Sequence, residues 1–199
     1  MMALAAGFTL AACCGLRAFL PALAAAIAVR IGWLTPPVEM AWIASTPSLV
    51  ALSAAVVLEM AADKIPLLDH ALDTAGVVLR PVAGGLVAAL PVVSITGWLG
   101  EDQRALLMGA GAMAGGGALG LGVHILRAKV RLASTLITGG LANPILSLID
   151  DLMALAGSIL ALLAPLVAVL LLAAGIALLW RAAAGVFPAP PPDHSGSMR

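Results

Sequence analysis

The chain has 199 residues, of which 62% are hydrophobic and only 10% are charged. A soluble domain averages about 45–50% apolar and about 25% charged residues, so the composition excludes an ordinary soluble fold. The formal net charge is zero, and the chain has no basic stripe of the kind that binds nucleic acid. The excess of Ala, Leu, Val and Gly predicts an all-α, polytopic bundle of membrane helices whose first partner is the lipid bilayer.

The first apolar stretch, Ala3 to Ile31, is longer than the roughly 20 residues that one membrane helix needs. It predicts either one kinked membrane helix or two shorter pieces with a break near Arg17, because Gly15 and Pro21 interrupt it. Backbone groups freed at such a break must find partners in the protein. No basic region precedes the stretch, so we interpret it as a membrane segment and not as a removable signal peptide. Positions 32–47 carry three prolines and two tryptophans, which predicts an interfacial loop.

Further apolar stretches bring the predicted number of membrane helices to about six. They are Pro47 to Ala62, Gly76 to Leu99, Ala105 to Leu126, Leu132 to Ile149 and Leu152 to Trp180. The fourth of the six helices is rich in glycine, which predicts a place in the middle of a tight bundle and a candidate homodimer interface. Residues 1–186 then form a single transmembrane domain. The Pro- and Ser-rich tail at 187–199 is predicted to be disordered.

Basic residues indicate the orientation, since cytoplasmic loops carry an excess of Lys and Arg. With six helices and a cytoplasmic N-terminus, the residues on the inner side are Lys64, Arg127, Lys129, Arg131 and Arg181, three of them in a short basic loop after the fourth helix. Arg30 and Arg104 fall outside. We therefore expect a multi-pass protein of the cell (inner) membrane with both termini in the cytoplasm. Two crossings within the first stretch would invert this assignment.

The stretch from Glu59 to Gly76 concentrates charge beside the apolar runs. Its acidic residues are four of the ten in the chain: Glu59, Asp63, Asp69 and Asp73. They form two pairs, each four residues apart, so each pair shares a helical face. Close carboxylates in a poorly solvated site repel, so one takes up a proton or the pair shares a cation. The alternative is that Lys64, Arg80 and the water interface neutralise them.

A related pattern recurs downstream. Pro66 and Pro144 each begin a run of two aliphatic residues, one acidic or small polar residue, three further residues and an aspartate, which is Asp73 or Asp151. The two runs fall in helices of opposite predicted direction, as in an inverted repeat of three plus three helices. The alternative is a chance recurrence in a sequence of low diversity. The two halves would be 1–99 and 105–181.

Further candidate site residues are Arg17 and two aspartates that follow each other in sequence, Asp150 and Asp151. An arginine inside a membrane is costly and normally has a partner. That partner is either an acid of the cluster or an anionic ligand such as a phosphate. Neighbouring aspartates cannot face the same way on a helix, so one is expected to cap the sixth helix and the other to face the bundle.

Ser134, Thr138 and Asn143 place hydroxyl groups and an amide around a predicted helix break. Such groups either coordinate an ion or a polar headgroup or bond their own helix backbone. The chain has no GxSxG elbow, HExxH motif, Walker loop or CxxC pair. No cofactor is identified, and the identity of any metal stays open.

Four stretches together resemble a known family. They are GLRAFLP (15–21), LEMAADKIPLLDHALD (58–73), LRPVAG (79–84) and RLASTLITGGLANPILSLIDD (131–151). The chain is similar over roughly Phe8 to Trp180 to the DUF4126 family, a domain of unknown function. The resemblance implies a largely bacterial integral membrane protein without an assigned biochemical role, and it adds no catalytic residue.

The leading hypothesis is a small transporter or lipid-headgroup translocase, rather than an enzyme, with proton or cation coupling at an intramembrane acidic cluster. The candidate binding residues are Arg17, Glu59, Asp63, Lys64, Asp69, Asp73, Arg80, Ser134, Thr138, Asn143, Asp150 and Asp151. The acids would bind protons or cations, the arginines would balance them or hold an anionic substrate, and the neutral groups would complete the site. One alternative is a membrane enzyme acting on a lipid phosphate, with the acids holding Mg²⁺. The other is a structural or assembly protein.

Overall fold

The computed structural model describes residues 2–36, 38–63, 66–96 and 103–186 and is all-α in these ranges. Seven α-helices follow one another: α1 (Met2–Leu16), α2 (Phe19–Arg30), α3 (Thr46–Ala62), α4 (Pro66–Thr96), α5 (Gln103–Thr138), α6 (Asn143–Leu163) and α7 (Pro165–Val186). A 3-10 helix, Val38–Ala44, lies between α2 and α3. Trp33 and Trp42 are exposed in this connection, as an interfacial loop requires.

Proline in the first turn marks the start of four helices, where its missing N–H costs nothing. Pro66 and Pro165 are the first residues of α4 and α7, and Pro47 and Pro144 are second in α3 and α6. The side chain of Ser45 adds a cap to α3 by accepting a hydrogen bond from the Ser48 N–H at 3.3 Å. Local sequence therefore defines where these helices begin.

The first apolar stretch forms two helices that fold back on each other, not one kinked helix. Glu59, near the end of α3, binds the N-terminus of α2, whereas Arg30 at the end of α2 donates to the Ala44 carbonyl just before α3. These two helices are therefore antiparallel. Leu10 of α1 and Ala25 of α2 belong to one core cluster. The two helices α1 and α2 are thus a helical hairpin with its apex between them.

The predicted sixth helix, Leu152 to Trp180, is wrong, because the chain turns in its middle. It ends α6 at Leu163 and begins α7 at Pro165, whose ring prevents the preceding turn from continuing. Met153 of α6 packs against Gly175 of α7, so the two helices form a second antiparallel hairpin. With seven alternating helices, the first and last described residues lie at opposite ends of the bundle. The predicted placement of both termini on one side does not follow from this fold.

The predicted basic loop after the fourth helix is also wrong, because α5 continues through it to Thr138. The predicted helix from Leu132 to Ile149 is accordingly divided between α5 and α6. A hydropathy pattern assigns clustered arginines to a loop, because it does not show the acids, distant in sequence, that pair with them inside a helix bundle. The turn between the two helices contains Gly139 and Gly140 at positive φ, where glycine avoids a steric cost.

Within the described residues, three helices are long and apolar enough to cross a membrane: Leu72–Val93, Leu107–Thr138 and Asn143–Leu163. The other apolar helices among the described residues are shorter, namely Met2–Leu16, Phe19–Arg30, Thr46–Ala62 and Pro165–Leu178. The composition and these spans are those of a helical membrane protein. The finer prediction of about six membrane helices is not confirmed.

The two helices that contain the repeated proline pattern run in the same direction. Since Gly84 lies against Gly116 and Arg80 lies against Gly120, α4 is antiparallel to α5. The next helix, α6, follows α5 through the turn at 139–142 and runs back along it. Both α4 and α6 therefore begin at one end of the bundle, here called the charged end. This arrangement does not support an inverted repeat.

Glycines bring the three central helices, α1, α4 and α5, into close contact. A Cβ atom added to Gly116 would fall 2.8 Å from the carbonyl oxygen of Gly84, and it would also overlap the side chain of Ala88. Gly111, on the same helix, has no such neighbour within 4 Å in the described part of the chain. The glycine-rich helix thus lies in the bundle centre along one face only.

We predict that Gly116→Ala lowers the melting temperature of the detergent-purified protein, because overpacking costs about 1–3 kcal/mol. Gly111→Ala is the matched control. Its added methyl group meets open space, and alanine is a better helix former by about 1 kcal/mol, so its melting temperature should equal or exceed that of the wild type. Equal melting temperatures for the two variants would contradict this packing.

Candidate functional site

The apex of the first hairpin leaves unpaired backbone groups at the end of α1 and the start of α2. The Arg80 guanidinium donates to the carbonyl oxygens of Gly15 and Leu16 at 2.6 and 2.8 Å. The Glu59 carboxylate accepts the N–H groups of Ala18 and the following residue at 2.9 and 3.3 Å. A cation thus lies at a helix C-terminus and an anion at a helix N-terminus, which suits both helix dipoles.

This apex lies within the apolar layer of the bundle. Arg80 is eight residues (80 − 72) beyond Leu72, the start of the apolar span of α4, so it lies about 12 Å along that span at 1.5 Å per residue. Non-helical backbone at such a depth persists only where protein surrounds it. Arg17 is 0% exposed and Ala18 is 3% exposed, which meets that condition.

Arg17, at the apex itself, is paired with two acids from different helices. Its Nη1 lies 2.6 Å from Asp63 at the end of α3, and its Nε lies 2.5 Å from Asp151 of α6. Its Nη2 donates to the Ser147 hydroxyl at 2.8 Å, and that hydroxyl donates to Asp63 at 2.8 Å. The sequence predicted that Arg17 pairs with either an acid of the cluster or an anionic ligand. In the structure it pairs with two acids, Asp63 and Asp151.

Two arginines of α5 complete the arrangement, although the sequence analysis assigned them to a loop. Arg127 lies 2.5 Å from Asp150, 3.2 Å from Asp73 and 3.4 Å from Asp63. Arg131 lies 3.7 Å from Asp73. Their spacing of four residues, which places both on one helical face, is the signal that could have identified them. Ser147 was missed as well.

We call this cluster the charge network. Its members are Arg17, Arg80, Arg127 and Arg131 together with Glu59, Asp63, Asp73, Asp150 and Asp151. Among the described side chains it contains five carboxylates and four guanidinium groups, an excess of one acid. Asp73 is its most exposed acid, with 31% of its side chain accessible. A carboxylate in excess in such surroundings favours a proton or a cation beside it.

The acids and arginines of the predicted site therefore converge, with one correction. Because α6 begins at Asn143, neither Asp150 nor Asp151 caps a helix. They are the eighth and ninth residues of α6 and pair with different arginines. Lys64 and the side chain of Asp69 lie outside the part of the chain that the structure describes.

The neutral candidates lie apart from the charge network, in the turn between α5 and α6. The Thr138 hydroxyl donates to the Ser134 carbonyl at 2.8 Å, and the Asn143 side chain donates to the Thr135 hydroxyl at 3.0 Å. These bonds stabilise the turn and follow the alternative in which such groups bond to local structure. Ser134 near the end of α5 contributes its backbone carbonyl, and Asn143 is the first residue of α6.

The acids are distributed among arginines instead of facing one another. Within residues 2–36, 38–63, 66–96 and 103–186, no group of three or more His, Cys, Asp or Glu side chains is arranged to hold a metal ion. Cys13 and Cys14 are buried free thiols in α1.

A cavity of about 50 Å³ adjoins the charge network between α5 and α6. Its charged lining residues are Arg127, Arg131 and Asp150. The rest of the lining is apolar and includes Leu16 at the end of α1 and Ile149 of α6. The network is therefore accessible from a small recess with apolar walls.

The fold and site define an all-α membrane protein with a buried network of ion pairs at one end. The chain belongs to the family described as Domain of unknown function (DUF4126), which it matches over residues 4–184. Neither a curated protein nor a solved structure matches it. The family description names no activity, so function rests on the site.

We predict that Arg17→Met lowers the free energy of unfolding by about 3–5 kcal/mol, because it leaves buried carboxylates without their cation. Adding Asp63→Asn and Asp151→Asn to the variant should recover part of this loss. Arg181→Met, at an exposed position of α7, is the matched control and should be nearly neutral. Denaturant titration in detergent measures all four proteins. A triple variant no more stable than Arg17→Met would contradict the assigned pairing.

Proposed function

We propose that the protein is a small transporter, of the lipid-headgroup translocase type, that couples substrate movement to a proton or a cation at the charge network. The observation that carries this proposal is the excess of one carboxylate over guanidinium groups among the described side chains of the network. Charged groups are costly inside a membrane and commonly mark the paths of ions and substrates. A proton or cation on one carboxylate would balance the network.

The contacts of Arg17 suggest how a proton or cation on one carboxylate would change the contacts between helices. Arg17 connects the hairpin apex to Asp63 and, through Asp151, to α6, whereas Arg80 connects the apex to α4 through backbone carbonyls. Neutralising Asp151 would weaken the contact with α6 and leave the contact with α4. A ligand shifts a conformational equilibrium only when it favours one arrangement over another, and these unequal contacts supply that preference.

The proposed orientation places the charged end on the cytoplasmic side of a bacterial inner membrane. Arg127, Lys129 and Arg131 lie toward that end of α5, and an excess of basic residues is typical of the cytoplasmic side. The start of α1 would then face the opposite side of the membrane, and the end of α7 would face the cytoplasm.

The competing account is a purely structural network. It is favoured by the pairing of every described acid of the network with at least one arginine. Replacing a buried ion pair with apolar residues is, however, often neutral or stabilising. A network kept only for stability would therefore be an inefficient way to hold these helices together.

The test is translocation of fluorescent phospholipids in vesicles that contain the purified protein. Dithionite bleaches labelled lipid in the outer leaflet, so translocation raises the bleached fraction above that of protein-free vesicles. Wild-type protein should raise this fraction for at least one headgroup, and an imposed gradient of pH or of a cation should change the rate. Asp151→Asn should reduce the rate at least tenfold while the protein remains folded.

Arg30→Gln is the control, since Arg30 lies at the other end of the hairpin and donates a hydrogen bond to the backbone carbonyl of Ala44. It should translocate at the wild-type rate. A folded Asp151→Asn protein with the wild-type rate would contradict the coupling role of the network. Wild-type vesicles that match empty ones for every headgroup would contradict the translocase itself.

A further inference from the structure

The lining of the cavity between α5 and α6 is richer in basic groups than the charge network as a whole. Its lining contains Arg127 and Arg131 but one acid, Asp150, so basic groups outnumber acidic groups by two to one. Asp63 and Asp73 lie outside the lining and also pair with these arginines. An anion in this recess would meet two guanidinium groups and compete with the acids for their donors.

Guanidinium groups match the oxyanions of phosphate in shape and in charge. Arg127 and Arg131 lie on one face of α5, four residues apart, and are 3% and 6% exposed. The volume of about 50 Å³ exceeds the roughly 10–15 Å³ that a single water needs. The recess thus has room for a group of several non-hydrogen atoms.

The walls of the recess determine which kind of molecule can deliver the anion. Apolar side chains of α6, Leu146, Ile149 and Met153, line it. Ile149 and Met153 are 44% and 41% exposed on the outer surface of the bundle, which an apolar helix of this kind presents to lipid. A molecule that enters there has an apolar part along α6 and an anionic part at the arginines.

We propose that this recess binds the phosphate-bearing headgroup of an anionic phospholipid, with Arg127 and Arg131 as its ligands and Ile149 and Met153 along its acyl chain. The inference rests on the proposed function, because it names the substrate class of that translocase. The lipid enters sideways between α5 and α6. Its phosphate takes a share of the guanidinium donors that Asp150 and Asp73 now accept.

The experiment is thermal unfolding of the full chain in a neutral detergent with added ligands. The probes are phosphatidylglycerol, phosphatidic acid, phosphatidylcholine and inorganic phosphate. The two anionic lipids should raise the melting temperature by about 5 °C or more near saturation. Phosphatidylcholine, which carries an added cation, and inorganic phosphate, which lacks an acyl chain, should leave it unchanged.

Arg131→Gln should abolish the shift, and Lys129→Gln is its matched control. Both substitutions remove one positive charge from the same part of α5, but Lys129 is exposed and is not in the lining. If Arg131→Gln does not fold, Ile149→Trp tests the same recess by narrowing its apolar mouth while all charges remain. Ile149→Trp should reduce the shift at least threefold.

Three results would overturn the inference. One is an equal shift with phosphatidylcholine, which indicates general lipid binding. Another is a shift with inorganic phosphate alone, which indicates a soluble anion as the ligand. The third is an undiminished shift in folded Arg131→Gln and Ile149→Trp, which places the lipid elsewhere. Because this assay measures binding without flux, binding without translocation in vesicles would contradict only the proposed function. Translocation that survives loss of this site would contradict only the inference.

Discussion

Two helix ends that meet inside an apolar layer impose the condition on which the rest of this structure depends. The chain stops α1 and starts α2 at Arg17, and the freed carbonyl and N–H groups have no water to bond. Arg80 and Glu59 satisfy these groups, but each brings a charge into the same layer. Those charges, and that of Arg17, require further partners, which is why acids and arginines from α3 to α6 converge there.

The close packing of the helices allows side chains to reach the hairpin apex. Glycines let α1, α4 and α5 approach closely, so Arg80 on α4 can reach the last carbonyl groups of α1 across a short distance. The antiparallel helices α5 and α6 then bring Arg127 to Asp150 and leave a recess beside the pair. The proposed lipid site thus combines a hydrogen-bonded hairpin apex with a recess whose remaining walls are apolar. Flux through it requires the exchange of partners within the network.

Sequence reasoning predicts the helical membrane class and the convergence of Arg17 with the acids, because isolated charges in apolar runs need partners. It fails where one local sequence pattern is compatible with two different structures. Arg127 and Arg131 are typical of a loop in the sequence, because the acids of other helices that pair with them cannot be recognised there. Pro165 can kink a helix or end it, and only packing of α7 on α6 decides. The direction of a helix in the bundle also depends on distant contacts. The matched runs at Pro66 and Pro144 therefore suggested an inverted repeat, although α4 and α6 are parallel.

The central claim is that one carboxylate of the network carries an exchangeable proton or cation. Infrared difference spectroscopy of the purified protein across a pH titration tests it most directly, since a protonated carboxyl group has a carbonyl band that a carboxylate lacks. The account predicts a band that disappears reversibly as pH rises or a competing cation is added. The band should be absent in Asp151→Asn and retained in Arg30→Gln. Carboxylates that stay ionised throughout, with no response to any cation, would contradict it.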